Sequence, residues 1–319
     1  ETHLALGNLF RKRGEVDRAI RIHQNLAARP GLPDEQRMDA LLELGQDYMK
    51  AGLFDRAEGL FRELNDNNVH LSSVLPLLLD IYQQEKDWQN AISIAEQMGF
   101  VGEQSAKAVI AQFCCELAEN ARATEDIDAA LGYLKEAGKY HPHCARARLI
   151  RASIARQQGD CMAALRAYAQ VVEMDVDLLP VVLDDMHACH VELGTLPAMI
   201  SFLRNTIPKY AGISPVLKLA DIVGEEQGDE AAATFIAGEL GLRPSVRGLS
   251  RFIDFSLAGS DGAARENLMI LKNMTDQLLE NKPVYACANC GFSGKTLHWN
   301  CPGCRQWNTI KPIHGVEAD

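Results

Sequence analysis

The stretch LLELGQDYMKAGLFDRAEGLFREL, residues 41–64, decides the architecture of this chain because it recurs. In it the small residue Gly45 is followed three positions later by the aromatic Tyr48 and twelve positions later by Ala57. The same frame stands upstream in LALGNLFRKRGEVDRAIRIHQNL (residues 4–26) as Gly7, Phe10 and Ala19, and downstream in PLLLDIYQQEKDWQNAISIAEQM (residues 76–98) as Leu79, Tyr82 and Ala91. Gly45 to Leu79 is 34 residues, and the pairs Ala118/Ala130 and Ala152/Ala164 continue the frame with another 34-residue step. A degenerate unit around His187 and Met199 follows, and Ala220/Ala232 closes the series. A fixed period of this length is the signature of stacked two-helix units, each too small to bury its own apolar face.

Every position of the frame has a physical reason. Small residues at the first and third marks allow two antiparallel helices to cross closely, and the aromatic fills the gap between successive units. Gly14, Gly52, Gly159 and Gly194 fall where a first helix stops, since glycine takes the left-handed conformation after a helix at no steric cost. Asp17, Asp55 and Asp128 are expected to cap the second helix and favour its dipole, and Pro142 and Pro244 to end their units. RPGLPDEQ (29–36) reads as an insertion that lengthens one loop. Over residues 3–244 the pattern resembles the tetratricopeptide repeat, which implies an all-α superhelix of about seven to eight helical hairpins. Residues 245–281 keep helical periodicity without the frame and are expected to form a terminal helical pair that caps the array. In such arrays the first helix of each pair lines the inner face, which makes Asn8, Arg11, Gln46, Lys50 and Gln83 the candidate partner-binding residues.

The C-terminal end is different in kind. CANCGFSGKTLHWNCPGCRQW (287–307) holds four of the nine cysteines, two of the three tryptophans and no acid. Its cysteines read C-x2-C-x10-C-x2-C: Cys287, Cys290, Cys301 and Cys304. Two such turns each present a pair of thiolates, and together they complete a tetrahedral all-sulfur site for one zinc or iron ion. With all four positions thiolate no coordination site is open, so a structural metal is expected rather than a hydrolytic one. The segment resembles rubredoxin-type and zinc-ribbon modules, which divides the chain into a repeat domain, 1–281, and a metal ribbon, 282–319. Tyr285, Phe292, Trp299 and Trp307 are expected to be the ribbon's own small core.

Charge separates the two parts. Lys282, Lys295, Arg305 and Lys311 against Glu317 and Asp319 give the ribbon +2, so the total of −11 leaves −13 on residues 1–281. An acidic body argues against nucleic acid as the partner, and the opposite signs suggest that the ribbon folds back onto the array. Cys114, Cys115, Cys144, Cys161 and Cys189 share no spacing and read as free thiols of a reducing compartment. The longest apolar runs, such as VLPLLL (74–79), are too short to span a membrane, so the chain as given reads as soluble and as excised from a longer protein.

Other motif-like stretches carry less. GFSGKT (291–296) lacks the glycine a phosphate loop requires five positions before Gly294, where Asn289 stands. HPHC (141–144) lies at the end of a repeat helix, and His187 with His190 are three apart on one helix. No nucleophile elbow, zincin motif or calcium loop occurs, so no catalytic residue is assigned and a non-enzymatic protein is expected.

The repeats in 6–26 and 45–61, followed by the ending CANCGFSGKTLHWNCPGCRQWNTIKPIHG (287–315), together resemble the lipopolysaccharide assembly protein B family of Gram-negative bacteria. The resemblance implies a soluble part on the cytoplasmic side of the inner membrane, anchored by an N-terminal helix not in this sequence. It also implies a non-enzymatic adaptor that helps a membrane AAA+ protease degrade the deacetylase of the lipid A pathway, with other lipopolysaccharide assembly proteins as further partners. From the residues alone, a rubredoxin-type electron carrier and a generic envelope scaffold stay open as alternatives.

Overall fold

The protein is described by a computed structural model covering residues 2–280 and 282–316. The chain forms two compact units, Glu1–Leu117 and Ala118–Asp319.

The first unit is built from helical hairpins in the order set by the repeat: α1 (Thr2–Lys12) with α2 (Val16–Ala27), α3 (Asp34–Lys50) with α4 (Phe54–Asp66), and α5 (Leu71–Glu85) with α6 (Trp88–Gln97). A two-stranded hairpin, β1 (Phe100–Val101) and β2 (Gln104–Ser105), then leads into α7 (Ala106–Ala123), within which the two units divide. The close-crossing marks behave as the frame requires. Ala19, Ala57 and Ala91 are fully buried, and a Cβ on Gly45 would stand 2.4 Å from the ring of Phe61 on α4. Gly14 and Gly52 take φ near +80° at the helix ends, and where a unit lacks glycine, Lys86 takes the same conformation with φ 57°.

Two details depart from the sequence reading. Asp17, Asp55 and Asp128 sit inside the first turn of their helices, where they favour the dipole, and are not the caps. The N-cap position stands two residues earlier: Glu15 and Leu53 make no side-chain cap bond there, whereas Asp126, and Asp87 and Asp160 at the same frame position, accept hydrogen bonds from the backbone of Ala129, Asn90 and Ala163. The insertion at 29–36 is also only partly loop, since its last three residues, Asp34, Glu35 and Gln36, start α3.

A buried charge cluster ties α1, α2 and α3. Asp47, with no exposed surface, lies 2.5 Å from Nδ1 of the equally buried His23 and accepts a 2.8 Å hydrogen bond from Arg11 Nη1. Arg11 also pairs with Glu43. Two carboxylates and the Glu43 backbone carbonyl hold this guanidinium. Burial acts against its charge, but the hydrogen bonds and charges of Glu43 and Asp47 outweigh it and raise the pKa.

The second unit continues with α8 (Ile127–Tyr140), α9 (Ala145–Gln157), α10 (Cys161–Met174), a 3-10 turn at Val176–Leu178, α11 (Leu179–Glu192), α12 (Leu196–Thr206), α13 (Ser214–Gln227), α14 (Asp229–Leu242), α15 (Val246–Ala258) and α16 (Gly262–Glu280). Its core runs through Tyr168, Leu179, Met186, Met199, Leu203 and Tyr210, so the degenerate unit around His187 and Met199 is packed like the others. Cys144, Cys161 and Cys189 are buried within this unit and none of them is in a disulfide. α15 and α16 form the expected terminal pair, but α16 does not present the polar outer face of a cap: Met269, Ile270, Leu271, Met274 and Leu278 are each at least half exposed. After α16 come β3 (Tyr285–Cys287), β4 (Ser293–Gly294) and β5 (Ile310–Pro312), which form an antiparallel sheet in the order β4-β3-β5. No helix among the described residues is long and apolar enough to cross a membrane.

Candidate metal centre

The ribbon places its cysteines by using one local structure twice. Cys287 closes β3, and the chain turns so that Gly291 donates to the Cys287 carbonyl at 3.0 Å while Cys287 donates to Phe292 O at 2.7 Å. Fourteen residues on, Arg305 donates to Cys301 O at 2.8 Å and Cys301 to Gln306 O at 2.9 Å. The residue after each second cysteine is left-handed, Gly291 with φ 76° and Arg305 with φ 58°. Each turn therefore delivers two sulfurs on the same side of the backbone, and the sheet sets the two turns face to face.

All four sulfurs lie within 4.8 Å of one another, the only such group of metal-binding side chains among the described residues. Cys287 and Cys304 Sγ are 3.7 Å apart, and Cys290 and Cys301 Sγ 3.6 Å. A tetrahedron with metal–sulfur bonds of about 2.3 Å has edges of about 3.8 Å, close to these two distances, so the donor set fits one zinc or iron ion. Gly303 is part of the fit, since a Cβ there would stand 3.1 Å from Cys290 Sγ. Backbone amides face the sulfurs. Burial works against the Cys287 thiolate, but Thr309 Oγ1 at 3.2 Å and the N–H groups of Cys290 and Asn289 outweigh it and bring the thiol down to about 6. Cys304 is lowered chiefly by the Asn289 side chain, whereas burial pushes Cys301 up to about 12. A metal at this point would replace the protons and supply the positive charge toward which these N–H groups already hold the sulfurs.

The ribbon's own core is small: Cys287, Cys301 and Ile310, with Tyr285, Phe292, Leu297 and Cys304 partly buried around them. Trp299 and Trp307, expected in that core, do other work. Trp299 and Leu297 pack against the helical core of the second unit. The guanidinium of Arg146 on α9, a residue only 5% exposed, lies 5.4 Å from the Trp299 ring centre and 5.9 Å from that of Trp307. Around this centre Lys311 pairs with Asp175, His314 Nε2 lies 3.2 Å from Asp177 Oδ1, and the His314 ring stands edge-on to Tyr210. Val246 N, opening α15, donates to Val316 O at 2.7 Å. The ribbon is thus clamped to the helices of its unit, as the charge separation suggested, but the centre of the clamp is a cation from the acidic side that lies near two rings of the basic one. Arg146, Asp175 and Asp177 were not singled out in the sequence, where nothing distinguishes them from their charged neighbours.

The candidate partner-binding residues lie on α1, α3 and α5. Asn8, Gln46 and Gln83 are half-buried and Lys50 is exposed. Gln83 donates back to Leu79 O at 3.4 Å. The Arg11 guanidinium is engaged by Glu43 and Asp47. His190 Nδ1 lies 2.9 Å from Thr195 Oγ1, and neither His187 with His190 nor His141–Cys144 forms a metal-binding group among the described residues.

Comparison with known proteins bears on both parts of the chain. A model described as a rubredoxin metal binding domain matches residues 285–312, and tetratricopeptide repeat models match residues 2–36 and 115–175. Lipopolysaccharide assembly protein B of Escherichia coli K12 is 39% identical over 319 residues, covering all of this chain and 82% of that protein. The chain belongs to the lipopolysaccharide assembly protein B family. The Haemophilus influenzae member is 35% identical over 318 residues, 99% of this chain and 80% of its own length. Among solved structures, a tetratricopeptide repeat protein from Parabacteroides merdae aligns over 86% of this chain and 98% of its own, with 13% identity and a TM-score of 0.34. In this lipopolysaccharide assembly protein B family member, then, helical repeats and a four-cysteine ribbon occur in one chain, and within the second unit they are joined through Arg146.

Proposed function

We propose that the chain is a non-enzymatic adaptor in lipopolysaccharide assembly, working on the cytoplasmic side of the inner membrane. In this reading it holds the deacetylase of the lipid A pathway and presents it to a membrane AAA+ protease, so that degradation limits lipopolysaccharide synthesis. The observation that carries the reading is the donor set of the metal centre. Four clustered thiols supply every ligand that a tetrahedral metal takes, so a bound metal would have no position left for a substrate and would act by holding the ribbon in shape. That ribbon is fastened to helices, and stacked helical hairpins offer long surfaces for another polypeptide. The names of the Escherichia coli and Haemophilus influenzae relatives support the pathway. Other assembly proteins are further partners in the same reading.

The test is the lifetime of the deacetylase in cells lacking this protein and in cells resupplied with it, together with co-elution of the purified proteins. A long lifetime that shortens on resupply, and a stable complex, are expected. Equal lifetimes would overturn the adaptor role.

A further inference from the structure

Between α8 and α9 lies an open trough of about 530 Å³ whose lining carries one sign of charge. Its floor is apolar, with Leu134, Cys144 and Ala147 buried beneath it. Its rim holds Lys135 and Lys139 from α8 and Arg148 and Arg151 from α9, and no acidic residue lines it, in a chain with 43 acids against 32 bases. Lys139 pairs with Glu136, but among the described residues Lys135, Arg148 and Arg151 have no carboxylate partner. Four cations elsewhere in the same unit do: Arg156 with Asp185, Lys218 with Asp184, Arg251 with Asp221, Lys272 with Asp254. Gly138 widens the trough, since a Cβ there would meet nothing within 4 Å.

We propose that this trough binds an acidic peptide, an extended segment of a partner protein. Its Asp or Glu carboxylates would pair with Lys135, Arg148 and Arg151 while an apolar side chain between them sits on Leu134, Cys144 and Ala147. A compact anion such as phosphate is held by donors that converge on one point, often with a helix N-terminus, whereas these cations stand apart along two helices. A lipid surface is met by cations that protrude together with apolar side chains, whereas here the apolar part is the recessed floor. Separated carboxylates flanking an apolar anchor match the separated cations flanking an apolar floor. The site does not depend on the adaptor reading, and its test involves neither the deacetylase nor the protease.

A display library of random twelve-residue peptides, selected on the full chain and counter-selected on Gly138→Leu, supplies the probe. The consensus peptide is then titrated by fluorescence anisotropy against the parent, Gly138→Leu and the double variant Arg148→Glu/Arg151→Glu. Leucine is the better helix former and meets open space, so Gly138→Leu blocks the trough without unfolding α8, which circular dichroism verifies. Selected peptides should carry Asp or Glu on both sides of an apolar residue. Their binding should weaken roughly tenfold or more in each variant and fall as salt rises. Three results would overturn the proposal: no acidic enrichment, binding unchanged in both variants, or binding of phosphatidylglycerol vesicles through Arg148 and Arg151 while the selected peptides ignore those residues.

Discussion

Replacing Arg146 by alanine removes the centre of the clamp between ribbon and helices. The guanidinium lies 5.4 and 5.9 Å from the centres of two indoles in a residue 5% exposed. Each cation–π contact at a desolvated site is worth about 1–2 kcal/mol. The buried aliphatic stem adds about 0.8 kcal/mol per methylene. Against this, a variant without the charge no longer carries the cost of burying it, which is several kcal/mol for an unrelaxed ion and smaller where rings solvate it. A net loss of about 2–4 kcal/mol follows, larger than a surface ion pair supplies. Two of the three tryptophans stand at this seam, so urea unfolding of the metal-loaded protein followed by tryptophan fluorescence reads it directly. With a slope of about 1 kcal/mol per molar urea, as a unit this small would have, the midpoint of the ribbon transition should fall by about 2–4 M. Arg146→Lys, which keeps the charge but not the planar guanidinium, should fall between the two. A midpoint for Arg146→Ala within about 0.2 M of the parent would refute the reasoning, because slopes of this size resolve such a shift.

Raising salt should loosen the ribbon much less than Arg146→Ala does. Lys311–Asp175 and His314–Asp177 are partly exposed, so screening between 0.05 and 1 M should cost about 1 kcal/mol or less; a larger loss of fluorescence-detected stability would mean that charge dominates the seam. Asp47→Asn leaves His23 and Arg11 without their shared buried carboxylate and should destabilise the first unit by about 3–5 kcal/mol in thermal melts, where a change under about 1 kcal/mol would contradict the cluster's importance. Two glycines of one hairpin should respond with opposite sign. Gly45→Ala drives a methyl into Phe61 and should cost about 1–3 kcal/mol, while Gly59→Ala on α4 meets open space and should stabilise by about 0.5–1 kcal/mol. Removing the metal with a chelator should expose Trp299 and Trp307 while the far-ultraviolet helical signal is kept, since the ribbon buries only three residues of its own; loss of helix in parallel would show that the array depends on the metal.

The repeat was legible because close helix crossing leaves a mark at single positions: Gly45 against Phe61, and alanines that are buried to the last atom at the third mark. The metal site was legible because a tetrahedron of thiolates demands two paired turns, and Cys287, Cys290, Cys301 and Cys304 supply them in sequence. Helix caps were misplaced by two positions because Asp17 and Asp55 recur in the frame, whereas the capping position itself varies from Glu15 to Leu53 to Asp87. The β1–β2 hairpin carried a signal that went unread, Gly102 with φ 60° in a two-residue loop between Val101 and Gln104. What could not be read is which surface an aromatic faces. Trp299 and Trp307 have the composition of a ribbon core, and only the placement of Arg146, more than 150 residues earlier, turns them toward the helices. The ion pairs of Arg11 were hidden for the same reason, since Glu43 and Asp47 lie one repeat away.

The central claim is that the metal ribbon serves the helices in the adaptor role. The most direct measurement is the lifetime of the lipid A pathway deacetylase in cells whose only copy of this protein carries Cys301→Ser, with the helical fold of the variant verified in the purified protein. A lifetime lengthened as in the deletion, with the helices intact, is the predicted result. A lifetime equal to that of the unaltered protein would contradict it and assign the metal centre a separate purpose.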